Sequence, residues 1–341
     1  MSEIRAVVHA ATPGDGRPGH LRAVGRPAPE AGSGQVVVDV HAALLAPGDP
    51  PPLVDGTVVG REAAGVVAAI GPDVAGLAVG DAVALPTLLT CARCPACRAG
   101  RTNLCSDGRR PGVDVDGWLA EQVVVSAHLL IPRPASVPAA LAASVPGVVA
   151  AAYNAVKRAG VGPGVSVAVL GAGALGTQVT QLAALAGGEV TVVDARGAAR
   201  ELAEDLGADA TVDPAGRSLA TVIPEPVERV IVTPDHPAQV TQGIEVLAPG
   251  GRLVFAELPV EAAGELPTDR LVRDELDIVG ASGGTSHDAL ELFDLAAESR
   301  LILSTTVGEV HPVAALEELE PQLADASVGA RVAIDPRPDP V

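Results

Sequence analysis

A glycine-rich turn in the middle of the chain constrains the fold more than any other feature. Residues 167–176 read Val-Ala-Val-Leu-Gly-Ala-Gly-Ala-Leu-Gly, so an apolar run leads directly into three glycines spaced G-x-G-x-x-G. An alanine- and leucine-rich stretch with helical spacing follows, from Ala174 to about Ala186. A strand, a glycine turn and a helix in this order are typical of the phosphate-binding unit of a dinucleotide fold.

Each glycine of this motif has its own physical role. Gly171 permits the tight turn, Gly173 lets the backbone approach a pyrophosphate, and Gly176 lets the helix pack closely on the strand. The helix that begins with Ala174 and Leu175 directs N–H groups and the positive end of its dipole toward the phosphates. We therefore predict that these five residues bind the cofactor. Taken alone, the motif is also compatible with a glycine-rich turn in an α/β protein that binds no cofactor.

An acidic residue after the next apolar run favours the dinucleotide. Residues 189–194 read Glu-Val-Thr-Val-Val-Asp, and Asp194 lies 18 residues after Gly176. This spacing is close to the roughly 20 residues expected for the carboxylate that binds the adenosine ribose. Because a carboxylate there repels a 2′-phosphate, the sequence predicts NAD(H), with Arg196 also at the cofactor. Arg196 and Arg200 are able to serve a 2′-phosphate, which leaves NADP(H) open.

Composition limits the kinds of partner. The 341 residues indicate two domains, and the net charge of −19 argues against nucleic acid and anionic membranes as partners. The N-terminal residues lack the charged and apolar regions of a signal peptide, and no membrane span is visible, so we predict a cytoplasmic protein. A small-molecule substrate is the expected partner.

The pattern of apolar runs changes near residue 138. Before it, short runs broken by glycine and proline predict strands at 4–9, 35–42, 58–70, 81–85 and 119–125. After it, a helix over 139–159 is followed by alternating strands and helices, with strands at 165–170, 189–194, 210–212, 227–233, 252–256 and 276–280. This alternation predicts a parallel, doubly wound sheet, although prolines make a crossover helix within 214–226 doubtful.

The cysteines of the chain form one cluster. Cys91, Cys94, Cys97 and Cys105 are the only four, and they fall within 15 residues. Four thiolates from one loop can form the closed tetrahedron of a structural Zn²⁺ site, which leaves no open position for catalysis. An iron–sulfur cluster is the competing ligand set, and free thiols are the remaining alternative.

Together these features resemble the medium-chain dehydrogenase/reductase superfamily, in its zinc-containing alcohol dehydrogenase branch. The cysteine loop is similar to that branch's structural zinc lobe, and the glycine turn with Asp194 lies where the branch has its cofactor site. The G-H-E signature of the family is matched, except at Arg61, by Gly60-Arg61-Glu62-Ala63-Ala64-Gly65, Gly71, Val74, Gly80-Asp81 and Val83.

The resemblance implies an α/β protein with two domains. A GroES-like β-rich catalytic domain is expected over 1–150, with the zinc lobe at about 91–105. A Rossmann domain that binds NAD(H) is expected over 151–282, and residues 283–341 return to the first domain. The resemblance also implies one structural Zn²⁺ per chain and a homodimer or homotetramer.

The departures from the family concern its catalytic zinc. The resemblance implies that the three ligand positions fall on Ala46, Arg61 and on or near Gly147, and none of these side chains binds zinc. The proton-relay Ser/Thr position falls on Gly48, and the relay histidine falls in the proline run 50–52. Among the acidic residues of these motifs, Asp49 and Glu62 remain.

We therefore predict an NAD(H)-dependent reductase that works without catalytic zinc and transfers hydride to an activated C=C, C=N or carbonyl group. Arg61 is the main catalytic candidate, because a guanidinium can bind a carboxylate or stabilise an oxyanion. Asp49, Glu62 and Tyr153 are further candidates. The alternative for Arg61 is an ion pair with Asp49 or Glu62 that fills the vacated site.

Two other functions stay open. The first is a conventional alcohol or polyol dehydrogenase whose catalytic metal is bound by unusual ligands, such as His41, Asp49 and Glu62. The second is a non-catalytic NAD(H)-binding protein that acts as a partner or sensor.

Overall fold

Apolar runs broken by glycine and proline form the strands of the first part of the chain. The computed structural model describes residues 3–10, 20–46, 54–233, 239–256, 266–324 and 331–337. The elements before residue 148 are β1 (Glu3–Ala10), β2 (His20–Pro27), β3 (Gln35–Leu45), β4 (Glu62–Ile70), β5 (Ala82–Ala84), α1 (Pro95–Arg98), β6 (Gln122–Ser126), β7 (Ile131–Pro132) and α2 (Ala139–Ser144).

The chain then alternates between helix and strand before it returns to strand-rich structure. The alternating elements are α3 (Ala150–Ala159), β8 (Ser166–Leu170), α4 (Ala174–Leu185), β9 (Glu189–Val193), α5 (Gly197–Asp205), β10 (Ala210–Val212), α6 (Leu219–Val222), β11 (Val227–Val232), α7 (Gln239–Glu245), β12 (Leu247–Ala256), α8 (Thr268–Arg273) and β13 (Asp277–Ala281). The last elements are α9 (Ser286–Ala297), β14 (Val307–Pro312), α10 (Leu316–Ala324) and β15 (Arg331–Asp335).

Two units divide these elements. The first consists of residues 1–147 and 285–341, and the second consists of residues 148–284. In the first unit, strands pair in the order β14-β15-β3-β4-β5-β7, with β6 also paired to β3, and β1 and β2 form a separate antiparallel pair. Valine, alanine and leucine side chains of these strands form the core of this unit.

The second unit is a parallel sheet with the order β10-β9-β8-β11-β12-β13. Its central strand β8 is almost wholly apolar, and β11 ends in the buried apolar run 230–232, because helices cover both faces of such a sheet. The order reverses between β8 and β11, and in folds of this kind ligands bind at the carboxyl ends of the strands at this reversal. The glycine turn follows β8 directly.

The predicted helix over 139–159 is wrong in its middle. The chain forms α2, a π-helical turn over 145–149 and α3, and Gly147 has the non-helical angles φ −97° and ψ −106°. Pro146 lacks the N–H that a continuous helix needs, and glycine tolerates the break that follows. By length and composition the segment Ala139–Ala159 could cross a membrane, but 67% of its apolar 18-residue window is buried inside the protein, as in a core helix.

Other differences concern short elements. The predicted strand over 58–70 begins only at Glu62, and the sequence did not predict β2, β7 or β14. These strands carry few apolar residues in alternation, so pairing with neighbours determines them more than their own pattern does. The doubtful crossover within 214–226 contains the four-residue helix α6.

Candidate functional site

The glycine turn has the geometry that a phosphate-binding loop requires. Gly171 has φ +95°, a conformation that glycine adopts without steric cost. A Cβ built on Gly176 would overlap the carbonyl oxygen of Gly171, so only glycine lets α4 begin this close to β8. Gly173 is the N-cap residue of α4 and has no side chain to accept from the first helical N–H groups. These groups are therefore available to an anion.

Asp194 lies beside this turn, directly after β9. Its carboxylate is fully buried and accepts four hydrogen bonds: Oδ2 from Ala172 N at 2.8 Å and from Arg196 Nη2 at 2.8 Å, and Oδ1 from Arg196 N at 2.8 Å and from Arg196 Nε at 3.0 Å. Burial acts to raise the pKa of Asp194, but the hydrogen bonds from Arg196 and Ala172 outweigh it and lower the pKa to about 2. The carboxylate is therefore ionised and bound to the chain's own donors.

The four cysteines lie around one point. Their Sγ atoms are all within 4.8 Å of one another, with 3.5 Å between Cys91 and Cys105 and 4.0 Å between Cys94 and Cys105. Sulfurs bound to one zinc at about 2.3 Å form a tetrahedron with edges of about 3.8 Å, so the set fits a single ion. An iron–sulfur cluster with several irons would hold the sulfurs further apart.

Backbone groups also prepare these sulfurs for a cation. Cys94 N donates to Cys91 Sγ at 3.3 Å, and Cys97 N donates to Cys94 Sγ at 3.4 Å. Such N–H groups stabilise thiolate charge, and the bond from Cys97 N lowers the pKa of Cys94 to about 6. The donor set therefore suits a structural Zn²⁺.

The positions expected to hold a catalytic zinc have a different arrangement in the first unit. Val332 pairs with Leu45 and Glu62 pairs with Leu44, which brings the start of β15 and the start of β4 together at the end of β3. There Arg331 Nε donates a hydrogen bond to Glu62 Oε2, and both side chains are largely buried. This carboxylate is therefore committed to a guanidinium rather than to a metal ion.

Gly147 lies against the same carboxylate. A Cβ built on Gly147 would overlap Glu62 Oε1 and Cδ, so the carboxylate occupies the space into which a side chain at position 147 would extend. Ala46, at the end of β3, has no donor side chain. At the three described positions, Ala46, Arg61 and Gly147, no side chain is suited to bind a catalytic zinc.

Arg61 follows Gly60, which has φ +91°. The carbonyl oxygen of Gly60 accepts a hydrogen bond from Trp118 N at 2.9 Å, and this contact helps to fix the backbone next to Arg61. The Nε of Arg61 is buried and has no hydrogen-bond partner among the described residues. Its positive charge helps to lower the pKa of Asp114, after the larger effect of hydrogen bonds from Arg110. Arg61 thus carries a buried donor that its surroundings leave unsatisfied.

Two family profiles match separate parts of the chain. The profile of the alcohol dehydrogenase GroES-like domain matches residues 32–135, and that of the zinc-binding dehydrogenase matches residues 174–298. A cobalt- and zinc-bound thermostable alcohol dehydrogenase from Pyrobaculum aerophilum is 30% identical, with a TM-score of 0.85 over 98% of this chain and 100% of its own. The chain belongs to the zinc-containing alcohol dehydrogenase branch of the medium-chain dehydrogenases/reductases.

Two further structures are similar to this dehydrogenase over nearly their full length. An NAD-dependent alcohol dehydrogenase is 28% identical, with a TM-score of 0.84 over 97% of this chain and 99% of its own. An NADP-bound protein from Sinorhizobium meliloti 1021 is 26% identical, with a TM-score of 0.86 over 98% of this chain and 100% of its own. One of these relatives is thus named for NAD and another carries NADP.

Family membership confirms several predictions for this dehydrogenase. It is an oxidoreductase of the alcohol dehydrogenase type with a nicotinamide cofactor, and its fold combines a GroES-like domain with a Rossmann-like parallel sheet. The predicted zinc agrees with the cysteine geometry. Dehydrogenases of this kind act on small molecules. The domain bounds, the homo-oligomer, the cytoplasmic location and the roles of individual site residues stay predictions.

The remaining catalytic or metal-binding candidates from the sequence are Asp49, Tyr153 and His41. Asp49 falls outside the described residues. Tyr153 lies on α3, where the ammonium of Lys157 lies 4.6 Å from the centre of its ring. His41 lines a cavity of about 550 Å³ with Asp39 and Arg337, whereas Glu62 is bonded to Arg331.

Sequence reasoning missed Arg331 and did not identify Asp114 as part of an ion pair. Arg331 lies 269 positions from its partner, so no local pattern connects the two. Asp114 forms a bidentate ion pair with Arg110, whose Nε and Nη2 donate to its carboxylate at 2.9 Å and 2.7 Å. The two residues are four positions apart, so their spacing in the sequence could have indicated this pair.

Proposed function

We propose that this dehydrogenase reduces an activated double bond without a catalytic metal. The single observation that carries the proposal is the position of the Glu62 carboxylate. It occupies the space that a side chain at position 147 would need, and it accepts a hydrogen bond from Arg331. A catalytic zinc site uses three protein ligands and one open position. Here the Glu62 carboxylate is already paired with the guanidinium of Arg331.

The missing metal determines which substrates can react. Zinc polarises the substrate oxygen and lowers the pKa of an alcohol, so simple alcohols lose their main source of activation without it. When bound, the nicotinamide supplies a hydride to an electrophilic carbon. Substrates that are already electrophilic suit such a site: a conjugated enone or enal, an enoyl thioester or an iminium ion.

Arg61 is the residue proposed to replace the metal. Its guanidinium is positively charged at all working pH values and can donate to an oxygen on which negative charge develops. Its buried Nε, which like those of Arg133 and Arg229 has no partner among the described residues, is a donor that a substrate oxygen can use. The alternative is that Arg61 forms an ion pair with Glu62. The hydrogen bond from Arg331 to Glu62 argues against it, because this carboxylate already has a guanidinium as its partner.

The metal content of the purified protein tests the loss of the catalytic site. We expect one zinc per chain, and turnover of NADH with conjugated carbonyl acceptors that continues when a chelator is present in the assay. Two zinc ions per chain, together with activity lost in step with the second ion, would indicate a conventional alcohol dehydrogenase with unusual ligands. Tight NADH binding without turnover of any acceptor class would indicate a non-catalytic protein.

The role of Arg61 requires a separate variant. Arg61→Ala is expected to lower kcat/KM by about 10- to 1,000-fold, because it removes a charge-assisted donor, while the Kd for NADH changes little. Arg93→Ala is the matched control, since Arg93 belongs to the same unit and its side chain is 84% exposed. A lower melting temperature for Arg61→Ala with an unchanged kcat/KM would contradict the catalytic role and indicate packing.

A further inference from the structure

Two side chains from different strands hold one peptide group of the glycine turn. In the peptide between Gly171 and Ala172, the Gly171 carbonyl oxygen accepts a hydrogen bond from Thr233 Oγ1 at 3.3 Å, and Ala172 N donates to Asp194 Oδ2 at 2.8 Å. Thr233 directly follows β11, and Asp194 directly follows β9. Both ends of this peptide group are therefore bonded to side chains from outside the turn.

Thr233 is built into the sheet next to the turn. Its backbone N–H donates to Leu170 O at 3.1 Å, which continues the pairing of β11 with β8 by one residue. A hydroxyl has a single proton to donate, and Thr233 Oγ1 shares it between Leu170 O at 2.9 Å and Gly171 O at 3.3 Å. Thr233 is only 2% exposed, so water has little access to this contact.

The Gly171 carbonyl oxygen is directed into the protein, toward the start of α4. A Cβ built on Gly176 would lie 2.0 Å from this oxygen and 3.6 Å from Thr233 Oγ1. Within the part of the chain that the structure describes, Thr233 provides the only hydrogen bond to the Gly171 oxygen. The orientation of this carbonyl therefore depends on one hydroxyl.

A glycine at this position makes such a contact important. Gly171 has φ +95°, and glycine reaches many backbone conformations, so the peptide that follows it is free to rotate unless it is held. If this peptide turned over, its carbonyl oxygen would leave Thr233 and face the anion site. A carbonyl oxygen there would repel a pyrophosphate, whereas the N–H groups at the start of α4 attract it.

We propose that Thr233 is a positioning residue of the cofactor site. Its hydroxyl keeps the Gly171 carbonyl directed into the protein, and the turn is thereby organised for the pyrophosphate before the cofactor arrives. Such preorganisation raises affinity because the cost of ordering the turn is met during folding. The proposal goes beyond the reduction proposed above: it rests on the use of a nicotinamide cofactor by this family and is independent of whether catalysis requires zinc.

Binding of NADH tests this role without any substrate. Thr233→Val keeps the shape of the side chain but lacks the donor, so part of the population holds a turn that does not bind phosphate. The Kd then rises in inverse proportion to the competent fraction. By fluorescence titration we expect the Kd for NADH to rise about 3- to 10-fold, the range for one net hydrogen bond. Thr233→Ser restores the donor and should bind NADH within about twofold of the wild type.

Fragments of the cofactor locate the effect. Competition with NADH gives inhibition constants for ADP-ribose, which has the pyrophosphate but no nicotinamide, and for adenosine, which has no phosphate. We expect Thr233→Val to weaken ADP-ribose by the same factor as NADH and to leave adenosine within about twofold of its wild-type value. An unchanged Kd for NADH overturns the proposal. Equal weakening of adenosine and ADP-ribose also overturns it, because the loss would then reflect general damage to the unit.

Thr180→Val is the matched control for these measurements. Thr180 is a fully buried threonine of the same unit, and its hydroxyl donates to Gly176 O at 2.8 Å, but this bond lies within α4. We expect its Kd for NADH to stay within about twofold of the wild type, and a rise as large as that in Thr233→Val would contradict the special role of Thr233. If Thr233→Val does not fold, Thr233→Ala provides the same comparison of NADH, ADP-ribose and adenosine.

Discussion

Arg331 Nε donates a hydrogen bond to Glu62 Oε2 although the two residues lie 269 positions apart in the chain. The contact joins the first residues of β15 and β4, and the side chains are only 15% and 10% exposed. In a dehydrogenase whose relatives bind metals, a guanidinium thus neutralises a carboxylate next to the positions matched to zinc ligands. The charge balance of this region is maintained by protein groups.

Removal of Arg331 should strongly destabilise the fold. Arg331→Met leaves the buried Glu62 carboxylate without its cation, and we expect a loss of about 3 kcal/mol in the free energy of unfolding. Urea denaturation measures this loss. The double variant Arg331→Met with Glu62→Leu should regain at least half of it, because the unpaired charge is gone. Arg300→Gln breaks an exposed pair with Glu298 and should cost less than about 0.5 kcal/mol.

Gly147 should tolerate no side chain while Glu62 keeps its position. Gly147→Ala forces the carboxylate away from Arg331, and we expect a loss of about 1–3 kcal/mol from overpacking. In a Glu62→Ala background the same change should cost at least about 1 kcal/mol less, since the overlapping atoms are absent. Gly162→Ala is the control, because no atom lies within 4 Å of a Cβ at that position. Equal costs in both backgrounds would contradict the proposed overlap.

Loss of the cysteine cluster should remove zinc without affecting the cofactor site. Cys94→Ser takes away a buried thiolate ligand, so we expect less than one zinc per chain and a melting temperature lower by several degrees. The Kd for NADH should stay within about twofold, since the glycine turn belongs to the other unit. Ser106→Ala, in the same loop, should retain the ion. Full zinc content in Cys94→Ser would show that the cluster is not the metal site.

Asp194 should give the protein an acid-sensitive part of its stability. Its pKa in the folded chain is about 2, below the ordinary value of 3.8, so its contribution is complete above the unfolded pKa and disappears as the pH falls toward 2. A shift of nearly two pH units corresponds to about 2 kcal/mol at pH 7. The difference in the free energy of unfolding between the wild type and Asp194→Asn should therefore decrease as the pH is lowered from 5 to 3, as measured by urea denaturation. Asp269→Asn, a change at a carboxylate whose side chain is 81% exposed, is the matched control.

Sequence reasoning predicted well those parts of the site whose residues lie close together in the chain. The six residues from Gly171 to Gly176 contain the whole turn, and the four cysteines fall within 15 residues. In such segments the spacing alone restricts which atoms can meet, so the chemistry of each motif can be inferred before folding is known. The alternation of apolar runs predicted the parallel sheet for the same reason, since each run is read within a few residues.

Sequence reasoning was less complete where partners come from distant parts of the chain. It identified Glu62 as a surviving acid but could not name Arg331, because only the strand register places the starts of β15 and β4 at the same end of β3. It predicted one helix over 139–159, whereas the structure has a π-helical turn over 145–149 with non-helical backbone angles at Gly147.

The sequence by itself determined that a G-x-G-x-x-G turn and a four-cysteine loop are present, because residue identity and spacing decide these points. Its resemblance to the family predicted that three zinc-ligand positions are vacant. Only the tertiary structure decided how the remaining charges are paired: Glu62 with Arg331, and Asp194 with Arg196. The physical reason is that an ion pair depends on distance and burial in space, and these arise when the sheets form and exclude water.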